Sequence, residues 1–238
     1  MIDHWLKKLQ LALFPSHCLL CGAPGQDTRD LCAGCAAELP RNPIACPRCA
    51  LPLPHPGLPC GRCQRRPPPF ERTIAPLRYR HPVDALIRDF KFHGRLTLAP
   101  LLAELLAEAV TAAAVPRPEA LLPVPLHPAR LRERGFNQSL ELTRHLGRRL
   151  ALPLLLDGVQ RVRPTLAQSS GLGLLARRRN LRGAFVVTKP LAVRHLAIID
   201  DVYTSGSTVS ELARTLRRAG VATLQVWVCA RTPPAGDL

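Results

Sequence analysis

The sequence of 238 residues contains few aromatic and few acidic side chains. Aromatic residues make up 4% of it, so any contact with nucleic acid has to depend on charge more than on base stacking. Acidic residues number 17 against 33 Lys and Arg, and the formal net charge is +16. This surplus is compatible with a polyanionic partner such as single-stranded DNA, although a merely solvated basic surface would carry the same charge.

Long apolar runs and a recognisable secretion signal are also missing. No run approaches the roughly 18 apolar residues that span a bilayer, so we expect no membrane span. In residues 5–14, lysines precede a short apolar stretch, but Gln10 and Pro15 interrupt it and no small-residue cleavage site follows. We therefore predict a cytoplasmic protein.

Cysteine is concentrated near the N-terminus, where eight of the nine cysteines form four C-x-x-C pairs separated by ten residues each. Such pairs favour two tetrahedral zinc sites over disulfides when no secretion signal is present. The spacing allows either sequential or interleaved pairing. The predicted structural zinc ligands are Cys18, Cys21, Cys32, Cys35, Cys46, Cys49, Cys60 and Cys63.

The chain is long enough for one α/β domain of about 150 residues and a smaller module. Residues 64–69 read QRRPPP, which predicts a stiff, extended connection. We predict an N-terminal helix and double zinc ribbon in residues 1–66, a proline-rich linker in 67–72 and the larger domain in 73–238. The larger domain is predicted to begin with a strand over residues 73–79 and a helix over residues 83–92. The ribbon segment has no evident apolar core, so we expect it to need metal to fold.

The sequence pattern of residues 196–220 predicts a strand, a polar loop and a helix. Residues 196–199 are continuously apolar, as in a parallel strand buried on both faces, and Asp200 and Asp201 follow. Thr208 and Glu211 have the spacing of a capping box at the start of an amphipathic helix. In between, the backbone N–H groups of a loop rich in hydroxyls can bind an anion together with the helix N-terminus.

Two carboxylates next to a phosphate-binding loop would repel a bare phosphate. A sugar phosphate resolves the conflict, because the carboxylates can accept hydrogen bonds from sugar hydroxyls while the loop holds the phosphate several ångströms away. The alternative is a generic strand, turn and helix of an α/β protein. A P-loop is excluded because no Gly-Lys-Ser/Thr ending is present.

Residues 198–208, IIDDVYTSGST, resemble the PRPP-binding signature of type I phosphoribosyltransferases. The resemblance implies an α/β fold, with a type I phosphoribosyltransferase-like parallel-sheet domain preceded by the small cysteine-rich zinc ribbon module. It also implies that Asp200 and Asp201 hold the ribose hydroxyls of PRPP, which is bound with Mg²⁺. The 5′-phosphate would lie on the loop formed by Thr204, Ser205, Gly206, Ser207 and Thr208.

Further segments are similar to the ComF family, phosphoribosyltransferase-like proteins linked to competence and DNA uptake. They are residues 13–15, 124–128, 132–138, 163–165, 168–169 and 178–185, together with the cysteine-rich N-terminus. By position, Leu126, His127 and Arg130 correspond to the family's pyrophosphate loop, although His127 could equally be a turn residue. The flexible loop corresponds either to the segment with Arg132 and Arg134 or to residues 168–180.

Three functions follow from the resemblance. The first, which we favour, is a cytoplasmic protein that assists the uptake of single-stranded DNA, with other competence proteins as possible partners. The second is an active phosphoribosyltransferase of nucleotide or nucleobase metabolism, for which the sequence offers no recognisable acceptor pocket. The third is a PRPP-sensing adaptor that recruits a partner protein through its zinc ribbons.

Overall fold

The computed structural model describes residues 16–26, 29–164 and 181–233. Its strands are β1 (Arg72–Ile74), β2 (Leu77–Arg78), β3 (Ala120–Pro123), β4 (Val159–Arg161), β5 (Phe185–Val187), β6 (His195–Tyr203) and β7 (Thr223–Arg231). Five of them form a parallel main sheet, in which β7 lies between β6 on one side and β1 and β2 on the other, and β3 lies on the far side of β6. Strands β4 and β5 form a separate antiparallel pair. The predicted α/β class with a parallel sheet is confirmed.

Helices cover both faces of this sheet. They are α1 (Ala33–Glu38), α2 (Gly61–Arg65), α3 (Val83–Phe92), α4 (Leu98–Ala112), α5 (Pro128–Arg134), α6 (Gln138–Leu150) and α7 (Ser207–Arg218). Helices α3, α4 and α6 share one apolar cluster with the sheet, whereas α7 belongs to a second cluster on the opposite face. None of the helices in the described ranges is long and apolar enough to cross a membrane.

Strand β6 is buried on both faces, as its continuous apolar sequence predicts. Ala197 and Ile199 pack with the first cluster, while Leu196 and Ile198 pack with the second. The strand is longer than the sequence suggested, because hydrogen bonding to β7 continues through the acidic pair to Tyr203. The two carboxylates are therefore held on rigid backbone inside the C-terminal part of the strand.

The zinc ribbon segment packs on both faces of the sheet domain. Cys18, Leu31 and Leu39 belong to the cluster of α3, α4 and α6, whereas the cysteines of the second ribbon belong to the cluster of α7. Arg41 of the ribbon segment forms an isolated antiparallel bridge with Leu77 of β2 and so extends the sheet there. The ribbon segment thus shares its apolar packing with the larger domain, and the division at residues 67–72 stays a prediction.

The predicted capping box at the start of α7 is wrong. The N-cap is Gly206, in the left-handed conformation with φ of 74°, and the helix begins at Ser207. Glu211 instead accepts a hydrogen bond from the backbone N–H of Gly183 over 2.8 Å and pairs with Arg214 over 2.9 Å. Its carboxylate therefore ties α7 to the segment before β5 rather than to its own N-terminus.

Candidate sugar-phosphate site and zinc centres

The acidic pair lies at the C-terminal end of the central strand, with a different partner for each carboxylate. Asp201 is buried and forms an ion pair with Lys91 of α3, with 2.8 Å between Oδ2 and Nζ. Asp200 is partly exposed, and its Oδ1 accepts a hydrogen bond from the Ser139 hydroxyl of α6 over 2.9 Å. Lys91 therefore neutralises Asp201, and Asp200 is the carboxylate placed to meet a ligand.

The two carboxylates differ in acidity. Burial and the neighbouring charge of Asp201 raise the pKa of Asp200 to about 7. Burial would also raise the pKa of Asp201, but the Lys91 ammonium outweighs it and lowers that pKa. Likewise, burial opposes the charge of Lys91, yet Asp201 and Asp200 together raise its pKa. At neutral pH, Asp201 and Lys91 are both charged, while Asp200 is close to its titration midpoint.

The loop after β6 is shaped by Gly206. A Cβ at this position would collide with the Tyr203 hydroxyl, and the positive φ is one that only glycine adopts readily. The Ser205 and Ser207 hydroxyls lie 2.9 Å apart, and Ser205 Oγ accepts from the Ser207 N–H over 3.3 Å. Of the predicted phosphate-binding residues, Thr204, Ser205 and Gly206 precede α7, and Ser207 and Thr208 lie in its first turn, where backbone N–H groups favour an anion.

The predicted pyrophosphate loop follows β3 and reaches the same edge of the sheet, because β3 and β6 are parallel neighbours. His127 is the N-cap of α5 and accepts a hydrogen bond from the Ala129 N–H over 3.2 Å, so in this structure it acts as the turn residue that we considered. Leu126 precedes it and is partly exposed. Arg130 pairs with Glu133 over 2.7 Å.

A cavity of about 370 Å³ brings together three basic side chains, Lys91, Arg130 and Arg134. Arg134 donates to the Gln138 side chain over 2.6 Å and lies over the Phe92 ring. Of the two segments considered for the flexible loop, the first contains this arginine, and residues 168–180 lie outside the described residues. Glu133 also lines the cavity, and Arg130 and Lys91 are paired with Glu133 and Asp201, so Arg134 is the cation of this group without a carboxylate partner among the described residues.

The eight predicted cysteine ligands form two groups, which are sequential rather than interleaved. The first group is Cys18, Cys21, Cys32 and Cys35, and the second is Cys46, Cys49, Cys60 and Cys63. Within each group, the four sulfur atoms lie within 4.8 Å of one another. The Sγ atoms of Cys21 and Cys32 are 3.7 Å apart, and so are those of Cys49 and Cys60. A tetrahedral zinc site with bonds of about 2.3 Å has sulfur atoms about 3.8 Å apart, so both groups fit structural zinc.

Comparisons with known proteins agree with these observations. Residues 9–64 match the family model described as a double zinc ribbon domain. The chain is 39% identical over 235 residues to "DNA utilization protein YhgH" of Escherichia coli strain K12, covering 96% of both sequences. It is 37% identical to "Competence protein F" of Haemophilus influenzae over 84% of this chain and 90% of that protein.

The chain belongs to the ComF family. Membership in this family says nothing about the geometry of the acidic pair. It applies to both halves of the chain, because the relatives match across both the zinc ribbons and the parallel-sheet domain.

Sequence reasoning missed several polar residues that build the site of this ComF-family protein. Lys91 and Ser139 lie on helix faces shared with buried residues, such as Ile87 beside Lys91 and Leu142 beside Ser139. A polar residue on an apolar helix face was the available signal. Arg231 gave the same kind of signal, because it is a charged residue at the end of an apolar strand sequence, and it is only 4% exposed. What these residues contact depends on long-range packing, which no local pattern predicts.

The donor set at the acidic pair suits a magnesium ion that arrives with a phosphorylated ligand. Asp201 is committed to Lys91, so Asp200 is the carboxylate available near the cavity, beside the Ser139 hydroxyl. Magnesium in proteins is commonly held by one or two carboxylates plus substrate phosphates and water. Asp200 would hold such an ion only in combination with the ligand's own oxygen atoms.

Proposed function

We propose that this protein binds PRPP at the acidic pair and the following loop, and that it assists DNA uptake by handling single-stranded DNA in the cytoplasm. One observation carries the PRPP part. A partly exposed carboxylate, Asp200, lies in the C-terminal part of the central parallel strand, which ends at Tyr203 and is followed by a loop that opens into the N-terminus of α7. This order suits a ligand with hydroxyls at one end and a phosphate at the other.

Each group in the site has a distinct task in the proposed complex. Asp200 accepts hydrogen bonds from the ribose hydroxyls, and Ser139 orients its carboxylate. Lys91 keeps Asp201 ionised and limits the repulsion that two adjacent carboxylates would exert on a phosphorylated ligand. The loop of residues 204–208 binds the 5′-phosphate. Lys91 and Arg134 line the cavity for the pyrophosphate, whose charge magnesium would partly neutralise when bound.

The names of the relatives and the charge of the chain support the DNA part. Two groups of relatives are named for competence and for DNA utilization. The net charge of +16 favours binding to the phosphates of nucleic acid.

Calorimetric titration with Mg²⁺ and PRPP tests the first part. We expect the wild-type protein to bind, and we expect Asp200→Asn with Asp201→Asn to weaken binding at least ~10-fold, because the hydroxyls lose charged acceptors. The matched control is Asp84→Asn with Asp89→Asn on α3, two partly exposed residues paired with Arg88 and Arg95, which removes the same charge outside the acidic pair. Equal affinity in the acidic-pair variant and in the wild type would rule the proposed PRPP site out.

Complementation of a transformable bacterium that lacks its own family member tests the second part. We expect the wild-type gene to restore transformation. A variant that binds PRPP normally but has lost single-stranded DNA binding should fail to restore it. Full restoration by that variant would contradict a role in handling DNA.

A further inference from the structure

A cleft of about 500 Å³ lies between the second zinc ribbon and the loop after β6. One wall consists of Arg62, Arg65 and Arg66 of α2 and its C-terminal end, followed by the three prolines of residues 67–69. The opposite wall consists of residues 205–207, Ser210 and Arg214. The cleft thus joins two parts of the chain that are distant in sequence.

The charge of this cleft is one-sided. Among the described residues that line it, four are arginines and none is acidic. Arg62 donates to the Ser205 carbonyl oxygen over 2.9 Å and so fixes α2 against the loop. Arg65 and Arg66 are exposed, and within the part of the chain that the structure describes neither is paired with a carboxylate.

A second observation also points to a ligand. Tyr203 lines the cleft and is only 2% exposed, and its hydroxyl has no hydrogen-bond partner among the described residues. Buried hydroxyls nearly always have a partner. The Tyr203 hydroxyl is therefore a donor that a bound phosphate oxygen beside Gly206 could satisfy.

We propose that this cleft binds the phosphodiester backbone of a single-stranded nucleic acid along Arg65 and Arg66, beside the loop assigned to the 5′-phosphate of PRPP. Arginine suits this ligand because its planar guanidinium donates two parallel hydrogen bonds to phosphate oxygens. The cleft adjoins the proposed PRPP site, because residues 205–207 also belong to the loop assigned to the 5′-phosphate, but Asp200 and Ser139 are absent from its lining. This inference rests on the DNA part of the proposed function and gives it a location.

A strand of nucleic acid fits the cleft better than a second sugar phosphate does. Arg214 is already paired with Glu211, and a 5′-phosphate on the loop of residues 204–208 would leave Arg65 and Arg66 unused. These two guanidinium groups are therefore available to a further phosphate along the same opening. The prolines of residues 67–69 add an apolar surface that a sugar or base can contact. Binding in such a groove combines backbone charge with contact to the sugar or base face.

Neutralising Arg65 and Arg66 tests the proposal in the full-length, zinc-loaded protein. The control is Arg144→Gln with Arg148→Gln on α6, which removes the same charge on the opposite face of the sheet. Affinity for a fluorescent single-stranded oligonucleotide is measured by anisotropy over a range of salt concentrations. For Arg65→Gln with Arg66→Gln we expect ~10-fold weaker binding and a salt slope that is smaller by about 1.4, since each phosphate contact contributes about 0.7.

Two further measurements separate the possible sources of an effect. Zinc content and PRPP affinity should be unchanged in Arg65→Gln with Arg66→Gln, because these side chains belong neither to the thiolate group nor to the acidic pair and the loop of residues 204–208. A loss of PRPP affinity without a loss of oligonucleotide affinity would assign the cleft to a sugar phosphate and overturn the proposal. A loss of zinc would mean that the arginines balance the charge of the thiolates, which also overturns it.

Tyr203→Phe provides a milder variant that keeps the buried ring. We expect oligonucleotide affinity to fall about threefold, as for one lost hydrogen bond, with thermal stability unchanged. Wild-type affinity in this variant, together with equal affinities in the two arginine variants, would overturn the location. If the wild-type protein binds no oligonucleotide at all, the DNA part of the proposed function fails, and this inference fails with it.

Discussion

Arg231, the last residue of β7, donates from its Nε to the backbone carbonyl oxygen of Cys49 over 2.9 Å. The same guanidinium donates from Nη1 to the carbonyl oxygens of Tyr203 and Thr204, over 2.9 and 2.8 Å. It also lies over the Tyr203 ring, 4.7 Å from its centroid. One buried side chain thus connects the second zinc site to the start of the phosphate loop.

Replacement of this arginine should destabilise the protein. Arg231→Met leaves the carbonyl oxygens of Cys49, Tyr203 and Thr204 without their charged donor, so we expect the free energy of unfolding to fall by ~3 kcal/mol. Urea denaturation with excess zinc measures it. Arg72→Met, at an exposed position of β1, should cost less than ~0.5 kcal/mol. Equal losses in the two variants would contradict a connecting role for Arg231.

The two zinc sites should differ in their effect on ligand binding. Elemental analysis of the wild-type protein should give about two zinc ions per chain, and either Cys21→Ser or Cys49→Ser should reduce this to about one. Because the Arg231 link reaches the second site, we expect Cys49→Ser to weaken PRPP binding and Cys21→Ser to leave it near the wild-type value. The reverse order of effects would disprove the coupling.

The ion pair of Lys91 with Asp201 should contribute to stability over a defined pH range. Lys91→Met leaves the buried Asp201 carboxylate unpaired, so we expect a loss of ~3 kcal/mol at pH 7. The pKa of Asp201 is lowered from its ordinary value of 3.8, so the stabilisation is present above that value and is lost as the pH falls through the folded-state pKa. The pKa of Lys91 is raised above its ordinary value of 10.5, so the stabilisation from the ion pair is lost at the alkaline end only as the pH rises through that raised pKa.

Denaturation curves at several pH values check this prediction. The difference between the wild-type protein and Lys91→Met should be largest above pH 7, where Asp200 and Asp201 are both ionised, and should shrink as the pH falls and the two carboxylates are protonated. Lys189→Met serves as the control, because Lys189 is exposed. A difference that grew in acid would contradict the assigned pairing.

PRPP affinity should depend on pH through Asp200. Its pKa is raised to about 7, so the carboxylate becomes ionised, and able to accept hydrogen bonds from the ribose hydroxyls, as the pH rises through 7. We expect affinity to increase by up to ~10-fold between pH 6 and pH 8. Asp200→Asn should remove this dependence while leaving any part that comes from the ligand's own phosphate. An unchanged pH profile in Asp200→Asn would place the titrating group elsewhere.

Much of the fold could be predicted locally. The helix predicted for residues 83–92 is α3 in the structure, and the apolar residues 196–199 lie within β6. The strand predicted for residues 73–79 is divided into β1 and β2, with Pro76 between them. Proline lacks the N–H group that a continuous strand would need.

The candidate site was only half predictable. The acidic pair and the loop are consecutive in sequence, so the pattern alone located them. Lys91 and Ser139 come from two helices that lie far from the loop in sequence, and only the packing of α3 and α6 on one face of the sheet brings them to the carboxylates.

The sequence by itself determined the zinc ligands and the position of the loop proposed to bind phosphate, because C-x-x-C pairs and a strand, loop and helix form their geometry from adjacent residues. Only the tertiary structure decided that the cysteines pair sequentially, that Lys91 holds one member of the acidic pair, and that the second ribbon forms a basic cleft beside the loop. These relationships depend on which faces of the sheet the helices and ribbons bury, and burial is a property of the whole chain.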